Sequence, residues 1–249
     1  MDKTEKRPLT EHLDELRVRL IRCVIAVLIG FIGAYAFKEK LFAILMKPLL
    51  AVMNNNGTMI FTGLPEAFFT YLKTSFLAGL ILASPVIIYQ FWMFIAPGLY
   101  KKERLILLPA VILSVFFFAG GALFGYFIVF PFGFRFFLGF ATDSIQALPS
   151  MREYLAFSSK LLLVFGFVFE LPIVITFMAR LGLVSVDFLK KNRKYAILIF
   201  FIVAAILTPP DVITQAMLAM PLILLYEVSI IGARIFGREK KQADEATDE

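Results

Sequence analysis

Long uninterrupted apolar segments decide what this chain can fold into. Four of them, residues 18–37, 72–96, 105–130 and 154–181, reach the roughly 20 residues that an α-helix needs to cross about 30 Å of hydrocarbon. Apolar residues make up 60% of the 249 positions, against about 45–50% in a typical soluble domain. The sequence therefore predicts an all-α integral membrane protein. One membrane domain covers residues 1–237, and a charged cytoplasmic tail, residues 238–249, is predicted to be disordered.

Two further apolar segments, residues 195–208 and 212–231, flank the sequence TPPD at 208–211. Consecutive prolines lack amide donors and restrict the residue before them, so they end a helix and force a turn. We expect a tight hairpin of two short helices, the fifth and the sixth, of which the fifth is too short to cross a bilayer alone. Between the first two spans, KEKLFAILMKPLL carries leucines at helical spacing and predicts an interfacial amphipathic helix.

The distribution of Lys and Arg favours a cytoplasmic location for both termini. Basic residues concentrate in the N-terminal segment, in the loops after the second and fourth spans, and in the C-terminal tail. Cytoplasmic loops carry such an excess, so the net charge of +6 indicates membrane topology and no nucleic-acid partner. The two halves show no clear inverted repeat, which weakens the case for a secondary transporter.

Residue types typical of catalysis are scarce. The chain has one His and one Cys, which excludes a Cys/His metal cluster and a Cys–His nucleophile pair within the chain. It has no glycine-rich phosphate loop of the Walker type. Ser158, Ser159 and Lys160 are adjacent, but neighbouring residues on a helix point in different directions. We therefore expect neither an enzyme nor a bound cofactor or metal.

Two carboxylates on the predicted cytoplasmic side are candidates for binding a cation. Glu15 lies on the polar side of the helical pattern PLTEHLDELRVRL, and Glu103 stands among the basic residues of YKKER. The plain interpretations are a solvated helix face for Glu15 and pairing with neighbouring cations for Glu103. Together they could instead bind guanidinium groups, because carboxylates hold the planar fork of Arg in a bidentate geometry that Lys does not offer.

Six stretches together resemble the TatC family, the multispanning receptors of the twin-arginine protein translocase. They are HLDELRVRL, SPVIIYQFWMFIAPGLYKKER, FGYFIVFP, FGFVFELPIV, LTPPDVITQ and AMPLILLYEVSI. The resemblance extends from Pro8 to about Gly237. It implies six transmembrane helices in a concave, glove-like bundle in the bacterial inner membrane, with both termini in the cytoplasm.

The resemblance also implies function. A member of this family binds the twin-arginine signal peptides of folded cargo at its cytoplasmic face, associates with the single-span proteins TatA and TatB, and forms homo-oligomeric receptor complexes. Export is driven by the proton-motive force. The matched positions are Glu15, Arg17, Phe94 and Glu103 for signal-peptide binding; Glu170, Thr208 and Gln215 for intramembrane polar contacts and partner docking; and Pro48 and Asp211 in functional loops.

One position departs from the family pattern. Family members can carry an Asp in the second periplasmic loop, shortly before the tyrosine that opens the fourth span. Ser150 stands at this place, with Glu153 closer to Tyr154. The role of that acid is therefore open in this chain.

Glu170 is a carboxylate inside the apolar stretch VFGFVFELPIVITFMAR, where an acid costs roughly 2.5–3.5 kcal/mol at the centre of a membrane helix. Pro172 has no backbone N–H, so the carbonyl of Val168 loses the helical hydrogen bond that it would normally accept. The helix is therefore predicted to loosen there. Three roles stay open for Glu170: a packing acid bonded within the bundle, a partner-docking or water-attracting group, and a proton relay. The alternative function is a proton-coupled small-solute transporter with Glu170 as the carrier site.

Overall fold

The computed structural model describes residues 9–53, 58–96, 107–142, 146–208 and 211–237. Within these ranges the chain is helical apart from short connections and an isolated β-bridge between Ile60 and Ser150. The helices are α1 Leu9–Tyr35, α2 Lys38–Val52, α3 Glu66–Ile95, α4 Leu107–Phe124, α5 Phe130–Leu138, α6 Met151–Val168, α7 Leu171–Arg180, α8 Val186–Lys191, α9 Arg193–Leu207 and α10 Val212–Phe236. The predicted all-α class is confirmed, and α2 covers the segment expected to form an amphipathic helix.

In the part of the chain that the structure describes, five helical stretches are long and apolar enough to cross a membrane: Leu13–Tyr35, Glu66–Ile95, Leu107–Leu138, Met151–Arg180 and Val212–Phe236. Large apolar side chains point outward along them; Ile32 is 69% exposed and Phe116 is 70% exposed. Such a surface is costly in water but matches lipid chains. The chain is therefore a multi-pass membrane protein.

The hairpin helices differ from each other in length. α9 has 15 residues and extends about 22 Å at 1.5 Å per residue, short of the roughly 30 Å of hydrocarbon. α10 was expected to be short as well, and this expectation needs correction, because the helix has 25 residues. It continues beyond Ile231 to Phe236, with Arg234 in its last turn, where a cation interacts favourably with the helix dipole.

Prolines interrupt two of the long helical stretches. A π-helical turn, Gly125–Val129, joins α4 to α5 just before Pro131, whose ring cannot donate the usual backbone hydrogen bond. α6 ends at Val168 and α7 begins at Leu171, so the helix is broken at the position that Pro172 predicts. The backbone carbonyl of Glu170 then accepts from the amides of Ile173 and Val174 at 3.1 and 2.9 Å.

Contacts divide the chain into two compact units, the first of which comprises Met1–Met46, Ile60–Val115 and Ser150–Leu155. Its main packing is α1 against α3. The backbones approach closely at Gly30 and Gly79, where a Cβ on Gly79 would lie 2.5 Å from the backbone nitrogen of Phe31. Small residues permit such an approach between membrane helices, and this contact fixes the register of the pair.

The second unit comprises Lys47–Met59, Phe116–Pro149 and Ala156–Glu249. Within it α10 packs against α7 and α9. A Cβ on Gly232 would lie 2.3 Å from the hydroxyl of Thr176, and the Tyr226 hydroxyl donates a hydrogen bond to the carbonyl of Leu189 at 3.0 Å. The long helix α10 is thus held at several points along its length.

Candidate functional site

The carboxylate of Glu15 holds a guanidinium group from its own helix. Arg19 Nε donates to Glu15 Oε1 at 3.1 Å, and Arg19 Nη2 donates to the same oxygen. Residues four apart lie one above the other on a helix face, and this order, acid before base, is the favourable one. The side chain of Arg19 is 15% exposed and that of Glu15 is 21% exposed. The ion pair is therefore mostly buried, with a small part of each side chain in contact with solvent.

A third residue completes this arrangement, and we call Glu15, Arg19 and Gln90 the Arg19 cluster. Arg19 Nη1 donates to Gln90 Oε1 on α3 at 3.2 Å, and Gln90 is buried. Buried polar groups are almost always hydrogen-bonded, and here the guanidinium satisfies the amide oxygen. The sequence does not single out Gln90; the available signal is an isolated amide inside the apolar run SPVIIYQFWMF.

The register of α1 and α3 brings Phe94 towards this cluster. Gly30 faces Gly79, and Arg19 faces Gln90. The separation from Arg19 to Gly30 along α1 equals the separation from Gly79 to Gln90 along α3, as expected for antiparallel helices. Four residues further, the same antiparallel register places Phe94 opposite Glu15. Phe94 is half-buried. Glu15 and Phe94, two of the four residues predicted to bind a signal peptide, thus stand at matching positions of α1 and α3, and their joint role stays a prediction.

The other two residues predicted to bind a signal peptide are Arg17 and Glu103. Arg17 is exposed and, two residues from Arg19, lies on another side of α1. Glu103 lies outside the residues that the structure describes, so its position relative to Glu15 stays a prediction.

Glu66, at the first residue of α3, accepts hydrogen bonds from two separate segments. Its Oε2 accepts from the backbone amides of Thr62 and Gly63 at 2.7 and 3.3 Å. Its Oε1 accepts from the hydroxyl of Ser150 at 2.8 Å and from the amide of Arg152 at 3.0 Å. These bonds tie the connection before α3 to the beginning of α6.

This arrangement bears on the position where the chain departs from the family pattern. An Asp at position 150 would immediately precede α6, where a carboxylate typically accepts from the first free amides of a helix. Here Glu66 supplies the carboxylate to the Arg152 amide from another helix, and Ser150 donates to it. The sequence signal for Glu66 is its place directly after Pro65 at the start of a long apolar run.

Pro48 is buried within α2. The same helix contains Leu45, whose backbone carbonyl accepts a hydrogen bond from the hydroxyl of Tyr154 at the beginning of α6. The bond involves buried atoms and connects segments distant in sequence. The bond therefore joins the middle of α2 to the first turn of α6.

The three polar residues predicted at the hairpin all have partners within the chain. The Thr208 hydroxyl donates to the carbonyl of Ala204 at 2.9 Å. Asp211 caps α10 by accepting from the Thr214 amide at 2.8 Å. Gln215 Nε2 donates to the carbonyl of Phe201 at 2.9 Å and so joins α10 to α9. Each residue thus shapes the hairpin itself.

A cavity of about 230 Å³ lies beside this hairpin. Apolar side chains of the second unit make up most of its wall, and Thr208 and Thr214 contribute hydroxyl groups. Its largest lining residues include Phe124, Phe132, Phe137, Phe157, Met217 and Met220. Apolar pockets with few polar groups suit apolar ligands or side chains.

Glu170 occupies the capping position before α7, half-buried, with its Oε1 atom buried. It is absent from the residues lining the cavity beside the hairpin. The three roles considered for this acid stay predictions.

Comparison with known proteins gives matches over almost the whole chain. Residues 11–221 match the family model described as TatC, Sec-independent protein translocase protein. The Sec-independent protein translocase protein TatC of Desulforapulum autotrophicum is 67% identical over 245 residues, which cover 98% of this chain and 91% of the relative. The protein of the same name from Escherichia coli K12 is 38% identical over 245 residues, covering 97% and 95%. A crystal structure described as the twin arginine translocase receptor TatC matches with a TM-score of 0.82 at 42% identity, over 91% of this chain and all of that one.

Proposed function

This chain belongs to the TatC family of Sec-independent protein translocase proteins, and on that basis we propose that it is the receptor subunit of a twin-arginine protein translocase. It lies in the bacterial inner membrane with both termini in the cytoplasm. At the cytoplasmic face it binds the twin-arginine signal peptides of folded cargo. Glu15 and Glu103 bind the guanidinium groups, and Arg17 and Phe94 complete the site.

The observation that carries this proposal is the contact between Glu15 and Arg19. A carboxylate on this face of α1 already accepts two hydrogen bonds from a guanidinium group, so its surroundings suit the group that the signal peptide would present. Glu15 retains 21% exposure, which leaves it accessible. Phe94 stands four residues beyond Gln90 in the antiparallel register of α1 and α3, which supports a role for its aromatic ring in packing against the apolar part of a peptide.

The hairpin of α9 and α10 is the proposed docking region for the single-span partners TatA and TatB. α9 is too short to cross the hydrocarbon alone, and a short helix is accommodated by local thinning of the bilayer. Thr208, Gln215 and Glu170 supply polar groups on this half of the molecule, where hydrogen bonds between membrane helices are worth roughly 0.6–2 kcal/mol each. The receptors associate into homo-oligomers, and the proton-motive force drives transport.

The test is binding of a twin-arginine signal peptide to the purified protein, compared with the same peptide carrying Lys-Lys. Charge-assisted hydrogen bonds are worth about 1.5–3 kcal/mol, so Glu15→Ala or Glu103→Ala should weaken Arg-Arg binding about 10- to 100-fold. The matched control is Asp14→Ala, which removes a negative charge from the exposed neighbouring position and should leave the preference for Arg-Arg intact.

Two outcomes would contradict the proposal. One is equal binding of the two peptides with no effect of the Glu15 and Glu103 substitutions. The other is solute flux by the purified chain alone in liposomes, which would favour the transporter with Glu170 as its carrier site.

A further inference from the structure

The strongest unexplained feature of the candidate site is that a guanidinium group already occupies it. Arg19 uses Nε and Nη2 on a single oxygen of Glu15 and Nη1 on Gln90. These contacts engage the carboxylate in the same chemistry that an arginine of a bound peptide would use. A peptide arginine that reaches this oxygen must first take the place of Arg19.

The Arg19 side chain is held from two helices. Glu15 lies one turn away on α1, and Gln90 is a buried residue of α3. The register of the two helices is fixed about 16 Å away, at the distance of three turns, by the close approach of Gly30 and Gly79. Since Arg19 is only 15% exposed, its position is set by packing and not by chance orientation in solvent.

Resting on the function proposed above, we infer that Arg19 is a resident competitor, which occupies Glu15 in the empty receptor and is displaced by an arginine of the signal peptide. Binding is then an exchange of one guanidinium for another. Because a ligand must displace Arg19, it needs a higher intrinsic affinity to occupy the site than it would need if the site were empty. Weakly basic segments that do not form the full set of contacts stay below this threshold.

Competition of this kind has a definite thermodynamic signature. A receptor whose site is open only for a fraction of the time has an apparent Kd equal to the intrinsic Kd divided by that fraction. The factor is the same for every ligand of the site. Removing the competitor should therefore lower the apparent Kd of the Arg-Arg peptide and of the Lys-Lys peptide by the same factor. The ratio of the two Kd values should stay unchanged. A residue that touches the peptide directly would change the ratio.

The experiment measures Kd for both peptides with the purified full chain, Arg19→Gln and Arg19→Lys. Partly exposed ion pairs are worth up to about 1 kcal/mol, which corresponds to a two- to fivefold gain in affinity. Arg19→Gln should show this gain for both peptides. Arg19→Lys should show a smaller gain than Arg19→Gln, because its ammonium group still competes for Glu15, although it lacks the planar fork that bridges Glu15 and Gln90. Arg22→Gln is the matched control for charge, since Arg22 is exposed on the same helix; it should leave both Kd values near those of the parent protein.

A second variant keeps the test decisive if Arg19→Gln does not fold. Gln90→Met removes the acceptor on α3 while leaving Glu15 and Arg19 in place, and it should give a smaller equal gain for both peptides. Methylguanidinium should weaken peptide binding to an Arg19 variant more than methylammonium does, because it restores the missing competitor.

The failures of the two proposals are distinguishable. If the parent protein shows no Arg-Arg preference and Glu15→Ala changes nothing, the proposed receptor site is wrong. If the preference depends on Glu15 but the Arg19 and Gln90 variants bind both peptides no more tightly than the parent, the resident competitor is overturned. A gain limited to one peptide would also overturn it.

Discussion

The contact of α1 with α3 at Gly79 offers the most direct test of how the first unit is held together. In Gly79→Ala the added Cβ would lie 2.5 Å from the nitrogen of Phe31 and 2.7 Å from its Cα. Ordinary contact begins at 3.4 Å, and the atoms in the way belong to the backbone, which cannot move aside as a flexible side chain does. The two helices must therefore shift apart by nearly 1 Å.

The expected cost follows from this overlap. Overpacking at a tight contact typically costs about 1–3 kcal/mol, which lowers the midpoint of thermal unfolding by roughly 2–12 °C for a chain of this size. Gly33→Ala is the matched control, because Gly33 lies on α1 and a Cβ there would meet nothing within 4 Å. Ala is favoured over Gly in a helix by about 1 kcal/mol, so the control should be neutral or slightly stabilised.

The measurement is thermal unfolding of the two purified variants in the same detergent, followed by peptide binding. Because the register set at Gly79 also places Gln90 opposite Arg19, the shift should loosen the Arg19 cluster as well. Unfolding of Gly79→Ala at the same temperature as Gly33→Ala would contradict the close approach of the two helices. Equal midpoints would mean that the helices do not meet as closely as the backbone positions require.

Two further predictions concern carboxylates that organise helix ends. In Glu66→Gln one carboxylate oxygen becomes an amide nitrogen that cannot accept a hydrogen bond, so the backbone amide facing it, that of Thr62 or that of Arg152, should exchange hydrogen faster. Unchanged exchange at both amides, with Glu153→Gln as the exposed control, would contradict the link between the two segments. Asp211→Ala should lower stability by about 0.5–2 kcal/mol through loss of the cap on the Thr214 amide, measured by thermal unfolding. Asp211→Ser can still cap and should stay close to the parent; equal damage from both substitutions would show that the cap is not the cause.

Local chemistry made much of the architecture readable from the sequence. Segment length and apolar composition predicted the membrane class, because few environments accept helices that are apolar on all sides. Pro172 predicted a loosened helix near Glu170, where the structure ends α6 and begins α7, and the prolines after Thr208 predicted the hairpin, because a missing amide donor acts within one turn of the chain. The length of α10 was harder to predict, because the apolar run ends at residue 231 while the helix continues through its last turn, which contains Arg234.

Of the candidate site, the sequence pattern singled out Glu15, but not what Glu15 binds. Gln90, the second partner of Arg19, lies on another helix, and Ser150 and Arg152, which donate to Glu66, lie far along the chain. A nearly uniform apolar composition gives little indication of which helix faces meet. That choice belongs to tertiary packing: the backbones of α1 and α3 come close where Gly30 and Gly79 lack side chains, and the same register aligns Arg19 with Gln90. Sequence determined the helices and their breaks through local chemistry, whereas packing decided which polar groups reach each other.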